Sequence, residues 1–140
     1  MQVSEMMTPS VDVLGPDTHL QEVARHMRDH DIGALPVARD DRLVGVVTDR
    51  DIVVRCLAQM PDLKGATAAN AMSEEVLYCF DDQDIDDVAR NMGQQQVRRL
   101  FVVDRDKRLI GVLSLGDIAA NGKQDAAAEA LSGIAQPDTH

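Results

Sequence analysis

Residues 45–52 read GVVTDRDI, and this stretch decides how the chain is organised, because it recurs at residues 111–118 as GVLSLGDI. In each copy an aliphatic, largely β-branched run ends in a hydroxyl residue, and an aspartate follows three positions later. The run is typical of a buried strand, and the hydroxyl residue is a good helix N-cap. The sequence therefore predicts that a strand turns directly into a helix at Thr48 and at Ser114. We call Thr48–Asp51 the first motif and Ser114–Asp117 the second motif.

Two interpretations of these motifs stay open at the level of the residues. The free N–H groups of a helix start attract phosphate, and an aspartate one turn later can accept hydrogen bonds from both hydroxyls of a ribose. The same spacing also satisfies the capping box, in which hydroxyl and carboxylate only close off the helix. A single copy of this pattern is common, so the evidence for a ligand site is its repetition in matching contexts.

The duplication extends through most of the chain. A shift of 65 residues aligns Met7-Thr8 with Met72-Ser73, and it aligns the apolar positions of 20–27 with those of 85–92. After a charged turn the shift becomes 66, because the second turn is one residue longer. Paired positions keep their chemical character while their identities differ, which indicates an old duplication of one folding unit.

Each copy predicts the order β-α-β-β-α. Apolar residues at i, i+3, i+4 and i+7 predict helices over 20–27 and 85–92, with N-caps at Asp17 and Asp82. One unit of about 55 residues buries too little surface alone. We therefore expect an α+β fold in which two repeats, 1–62 and 63–122, pack with pseudo-two-fold symmetry, followed by a partly disordered tail, 123–140. The predicted strands cover 11–14, 35–38 and 43–47, and then 76–80, 100–103 and 109–113.

Composition restricts the classes of partner. Of the 140 residues, 44% are hydrophobic and 27% charged, and the net charge is −10. This charge argues against non-specific binding to nucleic acid and to anionic membranes. Apolar runs reach only about five residues against the ~20 that span a bilayer, and the N-terminus lacks the features of a signal peptide. Two cysteines without motif spacing agree with a reduced, cytoplasmic protein.

Other candidate sites are weaker. His26 and His30 lie four apart on a predicted helix and can share a metal ion, but no third ligand is evident, so we predict no metal site. The acidic run 81–87 lacks the glycine of a calcium-binding loop. Cys56 and Cys79 are predicted to be core residues, not nucleophiles. There is no phosphate-binding loop, dinucleotide fingerprint or nucleophile elbow, and we predict no catalytic centre.

The order of elements and the motifs resemble a tandem pair of CBS domains, the regulatory modules named after cystathionine β-synthase. The resemblance is carried by Met7-Thr8-Pro9, by Ala34-Leu35-Pro36-Val37 and by the two repeated stretches around the motifs. It covers roughly residues 5 to 120 and implies a stand-alone CBS-domain protein.

In that family, adenosine-type ligands bind in clefts between the two units. The resemblance implies that Asp51 and Asp117 bind ribose hydroxyls and that Thr48 and Ser114 lie near phosphates. It also implies that each cleft is lined by the other unit. The expected lining of the second motif's cleft is Thr8, Val11, Val13, Ile32, Gly33 and Ala34. The expected lining of the first motif's cleft is Ser73, Val76, Tyr78, Val97, Arg98 and Arg99.

The two clefts are not expected to be equivalent. Arg50 adds a charge to the first motif where the second carries Gly116, whereas Arg98 and Arg99 stand where the first unit has small residues. Both arginines suit a phosphate, and their alternative is an ordinary solvated pair. We expect unequal affinities, and AMP is preferred over ADP, ATP, NAD and S-adenosylmethionine because few basic residues converge. The nucleotide is a ligand, and no cofactor is predicted.

The resemblance further implies a homodimer, a flat disc formed by the amphipathic helices of two chains. The predicted function is a sensor that changes its packing on binding a nucleotide and signals to an unknown protein target. The alternative is a ligand-independent dimerisation module whose hydroxyl–aspartate pairs are only caps. An enzyme would need a convergent acid, base or nucleophile, which the sequence does not offer.

Overall fold

The computed structural model describes residues 1–9 and 12–135. Within these residues the chain forms two compact units. The first-motif unit is Asp12–Val76, and the second-motif unit combines the described parts of Met1–Val11 and Leu77–His140. The compact units therefore differ from the sequence repeats at their N-terminal ends, because the first residues of the chain pack with the second motif.

The first-motif unit is built on a β-hairpin. Strands β1 (Ala34–Arg39) and β2 (Arg42–Thr48) pair antiparallel. Leu14 adds a parallel bridge to β1, and Ser73 adds an antiparallel bridge to β2. The strand predicted over 11–14 is thus a single bridge at Leu14 among the described residues, and Val11 lies outside them. The helices are α1 (Leu20–His30), α2 (Asp49–Asp51), which continues as a π-helical segment (Ile52–Leu57), and α3 (Ala68–Ala71).

The second-motif unit repeats this hairpin in a three-stranded sheet. Its strands β3 (Tyr78–Phe80), β4 (Arg99–Val103) and β5 (Leu109–Ser114) lie in that order. β3 runs parallel to β4, β4 runs antiparallel to β5, and Thr8 bridges the free side of β5. The other elements are a 3-10 turn (Val3–Glu5) and the helices α4 (Ile85–Gln95), α5 (Leu115–Ala120) and α6 (Gln124–Ile134).

The helix periodicity is realised as predicted, but both predicted caps are wrong. Helix α1 begins after His19, which makes no side-chain cap, because the Leu20 N–H donates instead to the Ala66 carbonyl at 3.1 Å. Asp17 is therefore not needed as a cap. Asp82 is engaged by Arg105, whose Nε donates to Oδ2 at 2.9 Å, and Asp84 caps α4 by accepting from the Asp86 N–H at 3.2 Å.

The tail contains a packed helix. Residues 124–134 form α6, which lies on α4 at very short range, since Cβ atoms built on Gly93 and Gly133 would meet the backbone of the opposite helix at 3.1 Å and 2.8 Å. The tail that was predicted to be partly disordered thus contains a helix in its described part. Of the tail, residues 136–140 lie outside the part of the chain that the structure describes.

Each unit has an aliphatic core of its own. In the first-motif unit the α1 residues Leu20, Val23 and Met27 pack with the hairpin residues Leu35 and Val47. In the second-motif unit the α4 residues Ile85, Val88 and Met92 pack with Leu113 of β5 and Ile118 of α5. The repeated spacing of apolar residues thus corresponds to the buried face of each helix.

Candidate functional site

The first motif forms a complete capping box at the junction of β2 and α2. The Thr48 hydroxyl accepts from the Asp51 N–H at 3.1 Å, and the Thr48 N–H donates to Asp51 Oδ2 at 3.0 Å. Asp51 Oδ1 lies 3.8 Å from Arg55 Nε, and its side chain is only 19% exposed. Asp51 is therefore held in one orientation, with one carboxylate oxygen committed to the cap.

The second motif reproduces this geometry at the junction of β5 and α5. The Ser114 hydroxyl accepts from the Asp117 N–H at 3.1 Å, and the Ser114 N–H donates to Asp117 Oδ2 at 3.0 Å. Both residues are half-buried. Among the described residues no hydrogen bond to Asp117 Oδ1 is found, so this oxygen can accept from a ligand. Capping and ligand binding are thus compatible at this aspartate.

A glycine in each motif strand admits a second chain segment. A Cβ on Gly45 would lie 2.9 Å from the Ser73 carbonyl oxygen, and a Cβ on Gly111 would lie 2.7 Å from the Thr8 carbonyl oxygen. Because the glycines have no side chain, the segments that contain Ser73 and Thr8 can pair with the strands. The Val46 N–H donates to the Ser73 carbonyl at 3.0 Å, and the Val112 N–H donates to the Thr8 carbonyl at 3.0 Å. Ser73 therefore lies beside the first-motif strand and Thr8 beside the second, each within its own unit.

The start of β1 lies against the first motif. Ala34 is the register partner of Thr48, and the Gly33 carbonyl accepts from the Asp49 N–H at 3.0 Å. A Cβ on Gly33 would come within 3.2 Å of the Asp49 carboxylate. The sequence analysis grouped Ile32, Gly33 and Ala34 with the second motif. Within their unit they lie beside the first, because β1 pairs antiparallel with β2.

Arg98 and Arg99 lie against the second motif for the same reason. Arg99 is the register partner of Ser114, and the Arg98 carbonyl accepts from the Leu115 N–H at 3.1 Å. The predicted grouping placed both arginines with the first motif. Within the second-motif unit they share a pocket of about 580 Å³ with Ser114, and their grouping with the first motif across the units stays a prediction. The remaining lining residues are Leu115, Gly116, Ala119, Gln124, Ala127, Ala128 and Leu131.

The sequence analysis missed the contribution of α6 to this pocket. Four of its lining residues belong to α6, and three of them are apolar: Gln124, Ala127, Ala128 and Leu131. Their spacing of three to four residues was the available signal, since it marks one face of a helix. A larger groove of about 810 Å³ between α4 and α6 is lined by Asp86, Asp125, Glu129 and Arg90 among others, so acidic groups outnumber basic ones there and disfavour phosphate.

The other predicted residues divide between the units. Val13 and Val76 belong to the first-motif unit, where Val13 is exposed and Val76 half-buried. Tyr78 and Val97 belong to the second-motif unit, where Tyr78 is exposed beside Lys107 and Val97 packs on the core. Arg50 is exposed within the first motif.

The cysteines fit the predicted structural role. Cys56 and Cys79 are both buried and free. Burial raises the pKa of the Cys79 thiol to about 12, so at neutral pH it is not a thiolate. Neither is placed as a nucleophile.

A third potential metal ligand lies beside the two histidines of α1. Asp12, His26 and His30 each offer one ligand atom, and these atoms all lie within 4.8 Å of one another. The sequence analysis found no third ligand because Asp12 precedes the helix and follows no periodic pattern.

Within the described ranges no helix is long and apolar enough to cross a membrane.

Comparison with known proteins agrees with this architecture. The family model for the CBS domain matches the chain twice, over residues 3–57 and 68–122. CBS domain-containing protein YhcV of Bacillus subtilis is 36% identical over 140 residues, covering 99% of this chain and 98% of the relative.

Two solved structures are similar in fold. A crystal structure of hypoxic response protein I with two coordinated zinc ions has a TM-score of 0.75 and 37% identity, covering 86% of this chain and 98% of that one. CBSX2 of Arabidopsis thaliana in complex with AMP has a TM-score of 0.74 and 30% identity, covering 89% and 97%. The α+β fold and the duplicated repeat predicted from the sequence are thereby confirmed, and the chain belongs to the CBS domain family.

Proposed function

We propose that the chain is a regulatory module that binds adenosine-containing nucleotides at its two motifs, with AMP as the preferred ligand. The observation that carries this proposal is the pocket in which Arg98 and Arg99 accompany Ser114. The complex of the similar protein CBSX2 with AMP supports the choice of ligand class. The nucleotide acts as an effector, so no cofactor is required, and no catalytic role is proposed.

The second motif and the residues that share the pocket with Ser114 together offer a group for each part of a nucleotide. Asp117 keeps one carboxylate oxygen for the ribose hydroxyls, and two guanidinium groups offer planar donors to a phosphate. Ala127 and Leu131 offer apolar surface for a base. Two arginines match the charge of a monophosphate better than that of a triphosphate, which favours AMP over ATP.

The first motif is the weaker site in this proposal. Gly33 and Ala34 occupy the positions that Arg98 and Arg99 occupy at the second motif, so the strand start contributes no charge there. Arg55 approaches Asp51 and donates from Nη1 to the Met72 carbonyl at 3.0 Å, so it is already engaged. We expect the site at Ser114 to fill first.

Asp117→Asn is expected to weaken AMP binding about 10- to 100-fold while leaving stability nearly unchanged. Asparagine keeps one carbonyl oxygen for the Ser114 N–H, so the cap survives, but its NH₂ group cannot accept from ribose hydroxyls. The loss corresponds to the ~1.5–3 kcal/mol of a hydrogen bond to a charged group. Calorimetric titration of AMP into the full chain measures the affinity, and urea unfolding measures the stability.

Two variants serve as references for this experiment. Asp51→Asn should remove only the weaker binding step, and Asp84→Asn changes a helix-capping aspartate outside both motifs, at the N-cap of α4. Unchanged AMP affinity in Asp117→Asn, or no binding by the unmodified protein at millimolar AMP, would contradict the proposal. The completed capping boxes then favour the alternative, a ligand-independent dimerisation module.

The proposed homodimer has a candidate surface on the first-motif unit. The π-helical segment exposes Val53, Val54 and Leu57 at 51%, 44% and 60%. Three exposed aliphatic side chains on one short segment are typical of an interaction surface. Through this surface the module would transmit nucleotide binding to a second copy and to its protein target, and we place this activity in the cytoplasm.

Val54→Asp combined with Leu57→Asp is expected to convert a dimer into a monomer, because each buried carboxylate would lack a partner. Light scattering coupled to size-exclusion chromatography measures the mass. Leu77→Asp is the matched control, since Leu77 is 46% exposed but belongs to the other unit. A doubly substituted chain that remains dimeric would exclude this segment from the interface.

A further inference from the structure

We propose that Asp12, His26 and His30 form a binding site for a transition-metal ion, for which zinc is the best match. All three residues belong to the first-motif unit. His26 and His30 lie one turn apart on α1, and Asp12 lies in the segment that precedes this helix. Two histidines at i and i+4 on one helix face are a recurrent way to hold zinc.

The distances fit a site that closes slightly on binding. Ligand atoms bonded to tetrahedral zinc at ~2.0–2.1 Å lie ~3.3 Å from one another. The present separations reach at most 4.8 Å, and His30 Nε2 lies 3.9 Å from Asp12 Oδ2. The side chains of His30 and Asp12 are about half exposed, at 54% and 51%, so small rotations can bring these atoms to bonding positions.

His26 carries an independent sign of a missing partner. Its Nδ1 atom is buried and has no hydrogen-bond partner among the described residues. Leaving a buried polar atom unpaired is energetically costly, so such atoms are rare and require an explanation. Binding of the imidazole to a metal ion fixes its tautomer and engages its lone pair.

An ion pair without metal explains the cluster less well. The 3.9 Å separation between His30 and Asp12 is too long for a hydrogen bond. The rings of His26 and His30 are stacked, with centroids 5.8 Å apart and planes inclined by 20°. A shared metal ion would hold two such neighbouring imidazoles together.

The surroundings are compatible with a cation. The outer face of α1 carries a pocket of about 340 Å³ lined by Glu22, Arg25, His26, Asp29 and His30. The Asp29 carboxylate accepts from Arg28 Nε at 2.9 Å, and the Glu22 carboxylate offsets the guanidinium of Arg25. Two imidazoles and one carboxylate favour zinc or a related transition metal over magnesium and calcium, which prefer oxygen ligands. Three protein ligands leave a fourth position for water.

The test is calorimetric titration of zinc chloride into the full, untagged chain after treatment with a chelator. We expect one zinc ion per chain with a dissociation constant on the order of 10 μM or lower. His26→Gln, His30→Gln and Asp12→Asn should each weaken binding at least about tenfold, since even loss of an outer-shell partner costs 10–100-fold. Circular dichroism verifies that each variant keeps its helices.

The chain offers a matched control, because two of its four histidines, His19 and His140, are not among the proposed ligands. The double variant His19→Gln/His140→Gln should bind zinc like the unmodified chain. Equal zinc affinity in His26→Gln and His30→Gln would overturn the proposal, and so would the absence of any uptake by the unmodified chain. Buried Cys56 and Cys79 do not compete in the folded protein.

Discussion

Gly111→Ala is expected to lower the free energy of unfolding of the second-motif unit by about 1–3 kcal/mol, the usual cost of overpacking. The new Cβ would lie 2.7 Å from the Thr8 carbonyl oxygen and 2.8 Å from Met7 Sδ. The Thr8 segment cannot withdraw cheaply, because its N–H and carbonyl both pair with Val112, at 2.9 Å and 3.0 Å. Urea unfolding measures the loss, and hydrogen exchange at the amides of residues 7 and 8 localises it.

Gly65→Ala is the matched control for this prediction. No atom lies within 4 Å of a Cβ on Gly65, and its backbone is not in the left-handed region. The free energy of unfolding of Gly65→Ala should therefore stay the same or rise by about 0.4–1 kcal/mol, because alanine reduces the conformational entropy of the unfolded chain. If Gly111→Ala proves as stable as Gly65→Ala, close packing of the N-terminal segment on β5 is not a constraint on this fold.

The helices and hairpins could be predicted because their signals are local. The apolar face of α1, formed by Leu20, Val23 and Met27, repeats at the helical period and is buried as that period requires. The hydroxyl–aspartate pairs also encode their own geometry, since a capping box involves only residues three positions apart. Sequence reasoning therefore anticipated both junctions, including the structural reading of each motif as a cap.

The pairing of distant segments could not be predicted in the same way. Gly111 in a strand signals that something approaches closely, but it does not say which segment. In the structure the approaching segment contains Thr8, which lies more than a hundred positions earlier in the chain than Gly111. This pairing assigns the first residues of the chain to the second-motif unit and separates the compact units from the sequence repeats.

The full set of residues at each candidate site could not be predicted from the sequence for a related reason. Arg99 lies beside Ser114 because of the antiparallel register of β4 and β5, a relation that residue types alone do not fix. Asp12 lies beside His30 because of the path of the segment before α1, where no periodicity guides an interpretation. Sites assembled from neighbouring strands or loops depend on register, and register is decided by the packed core.

Helix α6 has an unusual dependence on small residues. A Cβ on Gly133 would lie 2.8 Å from the Gly93 carbonyl oxygen and 3.0 Å from Gly93 Cα, and both are backbone atoms of α4. The buried residues of α6 are only Ala127 and Ala130, which bring little apolar area into the interface. The helix is therefore held by close approach of the two backbones, and a modest energetic change can release it.

Gly133→Val is expected to cost about 1–3 kcal/mol of docking free energy and to detach α6 from α4. Amide hydrogens of residues 124–134 should then exchange much faster, while those of α4 and the sheet stay protected. Because Ala127 and Leu131 line the pocket at Ser114, AMP affinity should fall in the same variant. Ser132→Val is the control, since it places the same side chain at the adjacent, exposed position. Slow exchange across α6 in Gly133→Val would show that the helix tolerates a wider separation than its glycines imply.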